Sequence, residues 1–200
     1  MASYEYYFIF LKLFVLSVAE MKILFVSAVD FELGPVRALP PGPDCVLLAA
    51  GVGAEATLRA LDPLLASGRF DRVVDVGVAG SYSPQFPLGT VVQVVKERHA
   101  DRSGIPLLNP APWPELAFLP EASGNTLQEL DDRWRAVPAD VETMEGAAFF
   151  ECCLRHGVPF AEIRAVSNFV GERDHSRWDI PLALRNLESA LKTLSDKFFL

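Results

Sequence analysis

Asp140-Val-Glu-Thr-Met-Glu-Gly-Ala-Ala148 is the stretch on which the fold reading turns. Val141 has the character of a strand end, and a helix is expected from Glu145 to about His156. Gly157 suits the left-handed residue that stops a helix, and Pro159 opens the next segment. Gly146, Ala147 and Ala148 keep the first turn slim, so a strand or a ligand can approach it closely. Two readings of Met144-Glu145 are open. In one, Glu145 is a first-turn acid favoured by the helix dipole and Met144 is a core side chain. In the other, the Glu145 carboxylate accepts hydrogen bonds from vicinal sugar hydroxyls and the Met144 thioether packs on the sugar face.

Working outward, the chain downstream continues with an apolar strand, Ala161–Ser167, and Ser167-Asn168 stands at its carboxyl end. A polar segment follows from Phe169 to Asp179 and carries Arg173, Asp174, His175, Arg177 and Trp178. Pro181 begins a last helix, with Leu184, Leu187, Leu191, Leu194 and Phe198 at the three- and four-residue spacing of a face docked on a sheet.

Upstream, Ile23–Ala28 is a short apolar run of the kind that forms a central parallel strand. Asp30 and Glu32 lie just past its carboxyl end, where open α/β sheets place their ligands. They serve either as caps for a helix through Val36 to Leu39 or, in a functional reading, as a carboxylate that activates water. Pro40-Pro-Gly-Pro43 is a turn. Cys45–Ala50 is a second strand, Gly51-Val-Gly53 a tight turn, and Ala54–Ala66 a helix. Arg72–Gly77 is a third strand and runs into Gly77-Val-Ala-Gly80, whose small residues let backbone approach a base or sugar. Gly89–Val95 is β-branched and reads as a fourth strand. Ala100–Pro120 reads as a loop reaching over a pocket or an interface. Phe118–Glu121 reads as a short strand and Asn125–Trp134 as a helix.

The chain has 200 residues, half of them hydrophobic, which fits one domain with a sizeable core. A formal net charge of −8, with no Lys/Arg run, argues against nucleic acid or an anionic membrane as a partner. The three cysteines form no C-x-x-C pattern, which fits a reduced, cytoplasmic setting. His99, His156 and His175 are scattered, and no metal site is expected. Tyr4–Ala19 is apolar, yet Glu5 precedes most of it and Lys12 interrupts it. That is a poor signal peptide and a poor membrane span. Met1–Glu20 is therefore expected to be an extension, with a membrane anchor as the alternative, and residues 21–200 to be a single domain.

Four pieces now stand at strand carboxyl ends in one order: Ser27-Ala-x-x-x-Glu32, Gly51-x-Gly53, Gly77-x-Ala-Gly80, and Met144-Glu145 followed by Ser167-Asn168. The ordered set resembles the purine nucleoside phosphorylase/nucleosidase superfamily. Over Asp140–Ala148, Val158–Asn168 and Arg177–Pro181 it is most similar to the futalosine hydrolase family. The likeness is weakest between Lys96 and Asp132, where the chain looks shortened. It implies a three-layer α/β/α phosphorylase/hydrolase-like fold with a central mixed, largely parallel sheet. It also implies hydrolysis of futalosine to hypoxanthine and dehypoxanthine futalosine on a route to menaquinone, without a metal or cofactor, by a homo-oligomer.

Residue by residue, the resemblance implies that Glu32 is the base that activates water and that Glu145 and Met144 hold the ribose. It places Ala79, Gly80 and Ser167 around the substrate and Asn168 against the purine. Related adenine-specific nucleosidases carry aspartate at the position of Asn168. An amide can donate towards both N7 and O6 of a 6-oxopurine, so hypoxanthine is the expected leaving base. Arg173 and Arg177 are candidates for the benzoate end of futalosine, against a plainer reading as surface ion pairs with Asp174 and Asp179. A methylthioadenosine/S-adenosylhomocysteine nucleosidase, a nucleoside phosphorylase and a non-catalytic nucleoside-binding protein are the competing readings.

Overall fold

The computed structural model describes residues 21–40, 44–100, 106–128, 139–172 and 174–199. The expected extension Met1–Glu20, residues 41–43 of the proline turn, Arg173 and the Phe198 side chain lie outside the described residues.

In chain order the elements are β1 (Lys22–Ser27), a 3₁₀ turn (Asp30–Leu33), α1 (Gly34–Arg37), β2 (Asp44–Ala49), α2 (Ala54–Ala66), β3 (Arg72–Ser81), β4 (Val91–Glu97) and β5 (Leu107–Leu108). A second 3₁₀ turn (Pro114–Leu116), β6 (Glu121–Thr126), β7 (Val141–Thr143), α3 (Gly146–His156), β8 (Phe160–Phe169), a third 3₁₀ turn (His175–Arg177) and α4 (Ile180–Phe199) follow.

The strands form one mixed sheet. β1 lies parallel to β2 and β3, β8 parallel to β3, and β6 parallel to β4 and β7. β7 is antiparallel to β3, and β4 is antiparallel to β5 and β8. These pairings close β3, β8, β4, β6 and β7 on themselves. The alternation of strand side chains then sorts two cores. Leu24 and Val26 of β1 face α2 and α3, against Leu61, Leu65, Phe149 and Phe150. Ile23 and Phe25 face the opposite layer, against Leu187, Leu191 and Leu194 of α4. This is the expected three-layer α/β/α architecture.

The ends of several elements differ from expectation. β3 continues to Ser81 and β8 to Phe169, so Gly77–Gly80 and Asn168 lie within strands rather than in bends after them. Each strand supplies the other's ladder partners, which keeps both extended. The helix expected from Asn125 is not formed at its start. Asn125 and Thr126 end β6, where Thr126 N–H donates to Arg98 O (2.7 Å) and Leu127 N–H to Thr143 O (2.9 Å). Ladder bonds to two neighbours outweigh local propensity there; residues 129–134 of that expected helix lie outside the described residues. Phe118 lies in a turn, and the strand begins at Glu121. The described part of Ala100–Pro120 packs on the second core through Trp113, Leu116 and Leu119 instead of reaching over a pocket.

Phe160 anchors the first core, edge-on to Phe149 (5.6 Å between ring centroids) and Phe150 (4.8 Å). Phe160→Ala should lower stability by about 3–5 kcal/mol in urea unfolding, the usual cost of emptying a buried aromatic site.

Candidate active site

At the carboxyl ends of β1, β3 and β8 lies a cavity of about 220 Å³. It holds several times the roughly 30 Å³ share of one water. Its lining includes Glu32, Ala79, Gly80, Met144, Glu145, Ser167 and Asn168, all singled out from sequence. Phe31, Val52, Val78, Glu142, Thr143 and Trp178 share the wall.

Glu32 sits in the 3₁₀ turn after β1 and is 4 % exposed. Its Oε2 accepts from Val29 N–H (3.3 Å) and its Oε1 from Val78 N–H in β3 (2.9 Å). Burial pushes this carboxyl above its ordinary range, while Arg164 and the two backbone donors pull against it. Asp30, its neighbour, is instead tied at the surface to Arg37 (2.5 Å). Of the two acids, the buried one faces the cavity.

Glu145 is the N-cap residue of α3 rather than part of its first turn. Its Oε1 accepts from Gly53 N–H (2.8 Å) and its Oε2 from Met144 N–H (3.2 Å). Gly53 has φ +92°, a conformation open to glycine, so the Gly51-x-Gly53 turn serves to aim an amide at Glu145. A carboxylate has about four acceptor sites, so Glu145 keeps capacity for sugar hydroxyls. The helix itself is capped elsewhere. Gly146 N–H donates to Thr143 Oγ1 (3.2 Å) and Ala147 N–H to Thr126 Oγ1 (2.6 Å).

Asn168 and Ser167 both line the cavity although they are consecutive in a strand. A β-bulge explains this. Ala79 pairs with Val166 but Gly80 pairs with Asn168, which leaves Ser167 extra. The Ser167 hydroxyl donates to Asn168 Oδ1 (2.8 Å). The amide is thereby turned so that Nδ2 faces Gly80, where a Cβ would stand 3.2 Å from it. Gly80 also pairs with Glu142 across β7, and Glu142 Oε2 accepts from the Tyr82 hydroxyl (3.0 Å).

Sequence reasoning missed Arg164, Asp75, Glu142 and Trp178. Arg164 lies fully buried behind Glu32, its Nη2 on Asp75 and its Nε on Glu162 (2.7 Å). Burial alone would make the guanidinium easier to deprotonate, but Asp75 and Glu162 outweigh it and Arg164 stays charged. The available signal was Glu162-x-Arg164, two charges on one face of an otherwise apolar strand. Gly77 lies directly opposite Arg164 in the sheet. A Cβ there would overlap Arg164 Nη1 and stand 2.7 Å from Glu32 Oε1.

Arg177 is exposed and pairs with Glu172 (3.1 Å) and Asp174 (3.8 Å), not with Asp179. Asp179 instead accepts from Leu182 N–H at the start of α4 (2.9 Å). Arg177 does not line the cavity. Away from it, Asp62, Cys152 and His156 gather within 4.8 Å. There Asp62 Oδ1 already accepts from Arg155 (2.8 Å) and contacts His156 (2.9 Å), so ion pairs account for the cluster.

The profile described as "Phosphorylase superfamily" matches residues 116–199. The chain is 34 % identical to futalosine hydrolase of Streptomyces coelicolor over 190 residues, 78 % of this chain and 80 % of that protein. It is 30 % identical to futalosine hydrolase of Thermus thermophilus over 213 residues, covering 90 % and 93 %. The structure of futalosine hydrolase from Helicobacter pylori superposes with a TM-score of 0.78 at 15 % identity, covering 88 % of this chain and 98 % of that one. A methylthioadenosine/S-adenosylhomocysteine nucleosidase from Colwellia psychrerythraea, solved with adenine, gives 0.78 at 18 % identity, covering 90 % and 96 %. These relatives make the chain an N-glycosyl hydrolase of the phosphorylase superfamily. Within that superfamily the chain belongs to the futalosine hydrolase family.

Two outcomes follow from the geometry. Gly77→Ala should cost about 1–3 kcal/mol of stability by overpacking and lower kcat by displacing Glu32 and Arg164, read by unfolding and steady-state assays. The expectation that Glu32 is the base requires it to be ionised, so kcat/KM should rise with pH through a limb set by Glu32. That limb should lie above the ordinary glutamate range and vanish in Glu32→Gln.

Proposed function

We propose that this chain hydrolyses futalosine, a 6-oxopurine nucleoside, to hypoxanthine and dehypoxanthine futalosine. In this reading Glu145 accepts the ribose hydroxyls and Met144 packs on the sugar. Glu32 takes a proton from water as the water oxygen bonds to the anomeric carbon. The N-glycosidic bond breaks and its electron pair leaves on the purine. Asn168 has no acidic proton to give, so its remaining N–H stabilises that pair by a hydrogen bond shared between N7 and O6, and the base takes its proton from solvent. General-base assistance of this kind is typically worth roughly 10²–10⁴ in rate.

The observation that carries the choice of base is the orientation of Asn168. With Oδ1 held by the Ser167 hydroxyl, Nδ2 is the group beside Gly80; one of its N–H groups donates to Phe169 O (3.3 Å) and the other is left for a base. A 6-oxopurine offers acceptors at N7 and O6, whereas a 6-aminopurine would set its amine against that donor. A mismatched pair in a buried site costs about 1–3 kcal/mol. Glu142 adds an acceptor beside Asn168. The N1–H of a 6-oxopurine can use it, and the bare N1 of adenine cannot.

The same reading puts the protein on the menaquinone route through futalosine, in the cytoplasm, as one nucleosidase unit over residues 21–200. Among the described residues no helix is long and apolar enough to cross a membrane. A homo-oligomer fits Phe31 and Val52, both more than half exposed at the cavity wall, where a second subunit would cover them.

The test is base release from futalosine, inosine and methylthioadenosine, each with and without phosphate. Hypoxanthine from futalosine, independent of phosphate and lost in Glu32→Gln, is the expected result. Asn168→Asp should shift preference towards the 6-aminopurine by roughly one to two orders of magnitude, the kinetic equivalent of one mismatched hydrogen bond. Adenine from methylthioadenosine with the unaltered chain would overturn the assignment of the base, and a strict need for phosphate would overturn hydrolysis.

A further inference from the structure

Beneath the active site lies a group of buried acids that the chemistry above does not use. Glu97 ends β4 and Glu162 lies in β8; both side chains are fully buried. They meet under the first turn of α3. A Cβ on Gly146 would stand 2.5 Å from Glu97 Oε1 and 2.9 Å from Glu162 Oε1. Gly124 in β6 also leaves its side-chain space to Glu97 Oε1.

The hydrogen bonds of the two acids are unequal. Glu162 Oε1 accepts from Arg164 Nε (2.7 Å), and Arg164 reaches on to Asp75. Among the described residues Glu97 touches no cation. Its Oε2 accepts from the Thr126 hydroxyl (2.9 Å) and from the Arg98 backbone N–H (3.1 Å). Glu97 Oε1 and Glu162 Oε2 are buried and have no hydrogen-bond partner among the described residues. Two anions converging on one buried glycine, each with an idle oxygen, would repel strongly at such depth. One proton placed between them removes the repulsion and converts an idle acceptor into a donor.

We infer that Glu97 is a positioning residue that holds a proton and donates it to the Glu162 carboxylate, leaving Glu162 ionised to fix Arg164 behind Glu32. Glu97 is the carrier because Asp75 and Glu162 each contact the guanidinium and Glu97 does not. Around Glu97, β8 presents Glu162 and Arg164 and β6 the Thr126 hydroxyl; just beyond the end of β3, Tyr82 lies within reach of its charge. Burial first, and Glu162 second, push the Glu97 carboxyl far above its ordinary range, with Thr126 and Arg164 opposing. Thr126 extends the connection, since its oxygen also accepts the Ala147 N–H next to the Met144-Glu145 segment.

The catalytic half of this inference rests on the Glu32 reading above; the location of the proton does not. A carboxyl that keeps its proton only when folded makes folding weaker as pH rises, from its unfolded pKa up to its folded one. For one proton this is tenfold in the folding equilibrium per pH unit. Glu97→Gln supplies the same donor permanently and has no such dependence.

The experiment compares the full chain with E97Q, E97M and E162Q, following thermal unfolding from pH 5 to 8 and futalosine hydrolysis at pH 7. The melting temperature of E97Q should gain on that of the unaltered chain steadily as pH rises, with kcat within about twofold of it. E97M, which fills the space but donates nothing, should lower kcat with KM nearly unchanged. E162Q should lower kcat by about 10², the scale of a misplaced catalytic group. A melting-temperature difference that is flat with pH, or E162Q tolerated while E97Q is damaging, would overturn the assignment. Should the unaltered chain release no base from futalosine, the proposed function fails, and the unfolding series still decides where the proton lies.

Discussion

The contact on which the site depends is the fully buried guanidinium of Arg164 between Asp75 and Glu162. It is a cross-strand arrangement. Asp75 of β3 is directly opposite Glu162 of β8, and Gly77 is directly opposite Arg164. Breaking such a pair by removing one partner generally costs about 3–5 kcal/mol, because the other charge is left stranded. The arrangement is therefore rigid once formed. The residue after Gly77, Val78, gives its N–H to Glu32, so the strand that seats the cation also seats the acid. Glu32 and Arg164 come from remote parts of the sequence and are brought together by one empty position in the sheet.

The glycines carry that principle further. The sequence suggested that Gly146 made room for a strand or ligand. The structure shows that it makes room for Glu97 and Glu162, as Gly124 does for Glu97 and Gly77 for Arg164 and Glu32. Small residues around a nucleoside site thus do two jobs here. Gly80 lets backbone, Glu142 and Asn168 converge on the cavity. Those at 77, 124 and 146 leave volume for charged side chains behind it.

Much of the fold was legible because the apolar runs of β1, β3 and β8 and the spacing of Leu187, Leu191 and Leu194 are strong local signals. The lining residues were legible because they sit at strand ends in a fixed order. What could not be read was pairing. Asn125 and Thr126 look helical in isolation, and only their bonds to Arg98 and Thr143 on neighbouring segments make them strand. Gly53 was legible as part of a tight turn, but not that its amide is committed to Glu145. The bulge that turns both Ser167 and Asn168 into the cavity depends on the register of β8 against β3, which no local pattern encodes. Arg164 and Asp75 were each visible as a charge within an apolar strand, but no local signal says that those two strands pair.

The distribution of charge also bears on the chemistry. A departing purine leaves a ribosyl centre of oxocarbenium character, and groups already oriented around developing charge stabilise it without reorganisation. In the proposed reading carboxylates gather at the sugar end, where Glu32 and Glu145 are each held by backbone amides. The side chain proposed to meet the leaving base, Asn168, is neutral and turned by Ser167 to present N–H. An aspartate there would bring an anion against a 6-oxo group unless it stayed protonated. The amide meets the same need at every pH. Beneath the sugar end, Arg164 limits the negative field so that Glu32 can ionise, and its grip on Glu162 depends on Glu97 not adding a further charge. A site that stabilises a cation with acids must keep some of those acids neutral, and burial against Gly124 and Gly146 is how this fold selects one.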